Sequence, residues 1–200
     1  VYNLTSSSSA RKSTKPIHAI DVRELGDVEG CYEAGPSKFG FGISTSFKDN
    51  KLLIGSLKDF VYFLDYSNEI ITTSTIPLPA SESIFEEKNS SFGQSVFVGS
   101  QALFVSALTS DNGKGKVFVY PFNSNSKTND QDTDDWSSFY SVKPDNLIEN
   151  SFFGYNISEN DNKVVISTFN QSSIYIFNKK EIDKIELFDN IKNESLNSDS

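Results

Sequence analysis

Histidine occurs once in this 200-residue chain, cysteine once, tryptophan once and methionine not at all. A single imidazole excludes a multi-histidine zinc site and leaves His18 as the only base available to a Ser-His-Asp or Cys-His arrangement. His18 lies in the strand-like run IHAIDV, thirteen residues before Cys31, and reads as a strand histidine on an outer edge rather than as half of a nucleophile pair. Cys31, being alone, forms no internal disulfide and does not report the redox compartment. Nucleotide-binding and hydrolase signatures are missing too: there is no P-loop, no G-x-G-x-x-G and no G-x-S-x-G, and Gly113-Lys114-Gly115 reads as a turn between strands. The adjacent carboxylates Glu86-Glu87 and Asp134-Asp135 fall in polar loops, where neighbouring acids are solvated. The residues offer no active site and call for no cofactor.

Long runs are lacking as well. The longest apolar stretches are four to six residues, against the roughly 20 needed to span a bilayer as a helix. Eighteen basic residues against 27 acidic ones, a net charge of -9, provide neither a footprint for nucleic acid nor a basic run to hold an anionic membrane. With 36% apolar content and 13% aromatics, the chain is too hydrophobic for disorder at that charge, so a real core is expected. The absence of Met and the opening on Val1 point to a processed product or an excised piece of a longer chain, the second being favoured. Residues 1–16 read as a Ser-rich linker, 121–135 as a polar surface excursion and 191–200 as a polar tail. N-x-S/T sequons stand at Asn3, Asn89, Asn156, Asn170 and Asn193, near the number that a chain so rich in Asn, Ser and Thr yields by composition.

What the chain does have is a unit that occurs three times. F-G-x-S or a near relative begins at Phe41, Phe92 and Phe153, 51 and 61 residues apart. Eleven residues after each Phe an apolar run begins, LLIGS at Leu52, LFVSA at Leu103 and VVIST at Val164. Aromatic-rich runs follow: VYFL (61–64), VFVY (117–120) and IYIF (174–177). Then come the more alternating segments 70–76, 136–142 and 182–187. Short runs rich in β-branched and aromatic residues predict strands, and consecutive apolar positions predict strands buried on both faces. The alternating segments are then outer strands. Periods of this length mark propellers, solenoids or arrays. Four antiparallel strands per unit, the F-G-x-S segment forming the first and the inner strands being covered on both sides, describe a propeller blade. The expected fold is all-β, a partial β-propeller of about three blades (39–80, 90–145 and 152–190), with 17–25 as an outer strand of another blade. Gly55, Ser106 and Ser167 share one position in the units, where small side chains suit close approach between blades. The Gly of each F-G pair is expected to take a backbone conformation closed to other residues, with the Phe packed between blades.

In order and spacing these units resemble the FG-GAP repeat of integrin α-subunit N-terminal propellers and related extracellular proteins. The middle unit matches best: FGQSV (92–96), ALFVSA (102–107) and GKVFVY (115–120). The first unit matches in FGIS and LLIGS, whereas the third has Asn156 where Ser is usual and STF in place of GAP. Together the three span about residues 39–188. Several family members carry a D-x-D-x-D-G calcium loop between the first two strands, whose alternating carboxylates converge on one cation. The corresponding loops here read SFKDNK (46–51), FVGSQ (97–101) and SENDNK (158–163), so no metal is expected. The family ring usually has seven blades, which implies either further blades in a longer parent chain or self-association.

The resemblance implies a non-catalytic binding module of a cell-surface or secreted protein, recognising a protein or glycan through loops on one face. The alternative is an accessory propeller domain of a larger hydrolase whose catalytic domain lies outside this chain; a structural spacer is the third possibility. In an antiparallel blade the loop joining strands two and three lies at the same end as the loop leading into strand one. That end gathers Lys58, Asp59, Phe60, Phe85, Glu86, Glu87, Lys88, Asp111, Asn112 and Lys114 as candidate ligand-binding residues. Phe60 and Phe85 stand out, because a large aromatic in a polar loop either tucks between blades or meets a partner.

Overall fold

A computed structural model describes residues 44–55, 60–67, 72–79, 90–122, 136–181 and 184–192. The described residues are all-β and form three four-stranded antiparallel sheets. The first contains β1 (Thr45–Lys48), β2 (Lys51–Ile54), β3 (Phe60–Asp65) and β4 (Thr72–Pro77). The second contains β5 (Phe92–Val98), β6 (Ala102–Ala107), β7 (Lys116–Pro121) and β8 (Tyr140–Val142). The third contains β9 (Ile157–Glu159), β10 (Lys163–Ser167), β11 (Ser173–Glu181) and β12 (Lys184–Lys192). Each sheet is an up-and-down meander in which sequential strands are hydrogen-bonded neighbours. No helix among the described residues is long and apolar enough to cross a membrane.

The middle sheet is filled on both faces, and side-chain alternation explains how. Along β6, Leu103, Val105 and Ala107 join a core with Leu53, Val61, Phe63 and Ile76 of the first sheet. Ala102 and Phe104 point the other way, into a second core with Val164, Ile166, Tyr175 and Phe177 of the third. β7 divides likewise, Phe118 and Tyr120 to one side and Val117 and Val119 to the other. This is why ALFVSA and VFVY read as unbroken apolar runs. Trp136 locks the first interface, with its ring edge-on to Phe63 at 5.0 Å and its Nε1 donating to Ser74 Oγ at 3.1 Å.

Both interfaces are built alike. Gly55 lies so close to Gly93 that a Cβ on it would sit 1.8 Å from the Gly93 carbonyl oxygen, and a Cβ on Gly154 would sit 3.0 Å from Ser106 Cβ. The small residue at the end of the second strand therefore meets the F-G glycine of the next sheet, twice over. Both F-G glycines have left-handed backbones (φ 83° at Gly93, 97° at Gly154), and Phe92 and Phe153 are buried between sheets. Hydroxyls of the F-G-x-S serine and of β1 add polar ties across the first interface. Ser44 Oγ donates to Val96 O at 3.2 Å, and Ser46 Oγ accepts from Val98 N at 2.8 Å.

Some elements differ from the sequence expectation. Of the F-G-x-S segments within the described residues, only Phe92–Ser95 is strand; Phe153–Asn156 is a turn ahead of β9. A left-handed glycine interrupts the ladder, and even in β5 the register shifts between Phe92 and Val96. The segment 136–142 is strand only over Tyr140–Val142. Consecutive apolar residues in VVIST and IYIF predicted burial on both faces, yet Val165 and Ile176 are half-buried and Ile174 is 42% exposed. The third sheet is covered by the second on one face only. The expected strand at 17–25, the first F-G pair at Phe41-Gly42, His18, Cys31, both adjacent-acid pairs and most of the 121–135 excursion lie outside the described residues.

Candidate functional site

The sheets have two rims. One carries the β6–β7 and β10–β11 turns and the segments leading into β5 and β9; it is called the upper rim below. The lower rim carries the tight turns β1–β2, β5–β6 and β9–β10.

On the upper rim the β6–β7 turn passes through left-handed backbone at Asp111 (φ 52°) and Asn112 (φ 55°), types that tolerate it because their short side chains bond locally. Gly113 (φ 76°) and Gly115 (φ 86°) complete the turn. A Cβ on Gly115 would stand 2.4 Å from both the Phe153 nitrogen and its carbonyl oxygen, so only glycine lets the two backbones touch. Touching backbones share hydrogen bonds: Asn150 N donates to Asn112 O (3.1 Å), Phe152 N to Gly113 O (2.8 Å) and Phe153 N to Lys114 O (2.9 Å). The β10–β11 turn is drawn in by Phe169 N donating to Ser151 O (2.9 Å), and the lead into β5 by Thr109 N donating to Ser90 O (3.0 Å).

Asp111 is exposed and faces two ammonium groups, Lys143 at 2.7 Å and Lys114 at 3.7 Å. The Lys143 hydrogen bond, helped by the nearby positive charges, holds its carboxyl below the usual range against the opposing pull of desolvation. Beside this turn lies an aromatic group that sequence reasoning passed over. Tyr155 and Phe169 are 50% and 55% exposed, with ring centroids 4.8 Å apart and planes 35° apart. Phe152 stands 6.5 Å from Phe169, and exposed Ile148 flanks the group through Ser151, whose hydroxyl donates to Ile148 O at 2.6 Å. A signal was present: Tyr155 and Asn156 occupy the positions of Gln94 and Ser95 in the middle unit, and Phe169 that of buried Leu108.

Of the residues the sequence singled out, Asp111, Asn112 and Lys114 come together on this rim with Tyr155 and Phe169. Phe60 is half-buried, its ring edge-on to Tyr62 at 5.2 Å on the face of the first sheet turned away from the second. Lys58, Asp59, Phe85, Glu86, Glu87 and Lys88 lie outside the described residues. Among the sequon residues Asn156 and Asn170 are exposed, each directly following a ring of the aromatic pair, while Asn3, Asn89 and Asn193 lie outside the described residues.

The lower rim holds a different cluster. Glu159, its side chain 3% exposed, receives Lys48 Nζ at 2.9 Å, Lys179 Nζ at 3.1 Å and the backbone N–H of Ser100. Lys179, 8% exposed, also donates to Ser100 Oγ at 2.7 Å. Burial alone would raise the Glu159 pKa, but the hydrogen bonds from Lys48, Lys179 and Ser100 outweigh it and the carboxyl is held below its ordinary value. One carboxylate thus ties all three sheets at the lower rim, with two ammonium groups against it. Among the described residues no three His, Cys, Asp or Glu side chains converge as a metal site.

The chain matches no protein-family model and no curated protein.

Proposed function

We propose that this chain is a non-catalytic binding module, a set of FG-GAP-like propeller blades that engages a protein or glycan through its upper rim. The observation that carries the reading is the exposed Tyr155–Phe169 pair on the rim that also presents Asp111, Asn112 and Lys114. Exposed aromatic side chains on rigid loops are disproportionately binding anchors. Support for the propeller comes from the repeated glycine-to-small-residue contact, which stacks each sheet on the next in the same way. The half-open outer face of the third sheet suits a further blade, from the parent chain or from a second copy. The test presents the full chain to arrays of glycans and of secreted and cell-surface proteins. A ligand is expected whose binding is lost in Tyr155→Ser/Phe169→Ser while circular dichroism and melting stay unchanged. No ligand on either array, or a ligand indifferent to every upper-rim substitution, overturns the proposal.

A further inference from the structure

Resting on the binding reading above, we infer that the outward ring face of the Tyr155–Phe169 pair is a stacking platform for a neutral sugar ring. A pyranose offers a face of C–H bonds and a rim of hydroxyls. The electron-rich face of an aromatic ring attracts the first, and side-chain amides, which both donate and accept, pair with the second. The surroundings supply that combination. Asn150, Asn156 and Asn170 are exposed beside the rings, and Gln171 sits in the same turn as Phe169. Gln171 Nε2 reaches Asn146 O at 3.4 Å, while its Oε1 is buried without a hydrogen-bond donor among the described residues.

Charge argues against the other ligand classes. In the two loop stretches that frame the rings, 146–156 and 168–173, Glu149 is the only ionised residue and there is no Lys or Arg. An anionic ligand would find only Lys114 and Lys143 across the rim, both already paired with Asp111, and would meet a chain of net charge -9. A protein partner is recognised most strongly through Trp, Tyr and Arg anchors, of which this patch has one Tyr.

The platform is also held in shape before any ligand arrives. Asn150 (φ 59°), Phe152 (φ 51°) and Ser172 (φ 50°) take left-handed backbones that none of these residue types prefers as strongly as glycine does. Their turns are locked by Phe152 N to Gly113 O, by Phe169 N to Ser151 O and by Thr168, whose hydroxyl both donates to Ser173 O (3.1 Å) and accepts from Ser173 N (2.9 Å). A rigid, half-exposed ring pair loses little entropy when it is covered.

The experiment uses full chain from a bacterial host, free of N-glycans, so that Asn156 and Asn170 keep their amides. Chitohexaose, cellohexaose and mannohexaose are titrated by calorimetry, beside a sulfated heparin hexasaccharide and a display of secreted and cell-surface proteins. At least one neutral oligosaccharide should bind and the sulfated one should not. Tyr155→Ser/Phe169→Ser should weaken that binding by about tenfold or more, and Phe47→Ser, an exposed aromatic of the first sheet, should leave it unchanged. Sugar binding indifferent to the double substitution overturns the inference and leaves the binding reading standing. A protein ligand lost on the same substitution, with no sugar bound, does the same. No ligand of any kind overturns both.

Discussion

Replacing Glu159 by Gln keeps the shape of the side chain and removes its charge from between Lys48 and Lys179. The lysines differ in what they lose. Lys48 is 38% exposed and solvent takes over its charge, so its share is roughly 0–1 kcal/mol. Lys179 is 8% exposed and cannot be rehydrated without opening the rim. Breaking a buried pair from one side costs about 3–5 kcal/mol, and since Gln still accepts one hydrogen bond the lower end, about 3 kcal/mol, is expected. That is a large fraction of the stability of a small domain. Urea unfolding followed by circular dichroism should show a lower midpoint with an unchanged slope. The pH dependence has a definite sign. Because the folded-state pKa of Glu159 is lowered, its contribution is complete above the ordinary glutamate value of about 4.3 and is lost as pH falls through the depressed folded value. The gap between wild type and Glu159→Gln should therefore be constant at neutral pH and close in acid. A gap that persists unchanged at pH 2–3 would show that the charge is not its source, and a neutral-pH loss below about 0.5 kcal/mol would show that the cluster is a solvated surface pair. In a double-mutant cycle with Lys179→Met, the double mutant should lose much less than the sum of the two single losses, because the same contact is removed twice.

Three further outcomes follow from the packing. Gly115→Ala should cost about 3 kcal/mol or more, since its Cβ would press on the Phe153 backbone from a left-handed position, and a midpoint within error of wild type would refute the contact. Tyr120→Phe should be neutral or stabilising by about 1 kcal/mol in the same assay. The ring is 1% exposed among Trp136 and Phe139, its hydroxyl has no partner among the described residues and burial pushes its pKa well up; a loss above about 1 kcal/mol would reveal a bond to that hydroxyl. Ile174→Glu places a charge on the open face of the third sheet, so any concentration-dependent association seen by sedimentation velocity should disappear without loss of the fold, and unaltered association would move the contact elsewhere.

Local pattern determined which segments are strands and how they group. Four short runs per unit, spaced alike three times, can satisfy their backbone groups only by pairing with their sequence neighbours, and the sheets follow that order. The unbroken apolar runs of the middle unit foretold a sheet covered on both faces, and the shared small position foretold close sheet contacts, because burial and steric room act residue by residue. The outer face of the third sheet was not legible. VVIST and LFVSA look alike, and only the presence or absence of a neighbouring sheet separates them. Asp111, Asn112 and Lys114 could be placed on one rim from strand direction alone. Tyr155 and Phe169 face each other because two turns are pinned through Ser151, and Glu159 meets Lys48 across 111 residues because three sheets end at one level. Contacts of that kind depend on how whole sheets stack, a property of no single segment, so the tertiary structure alone decided them.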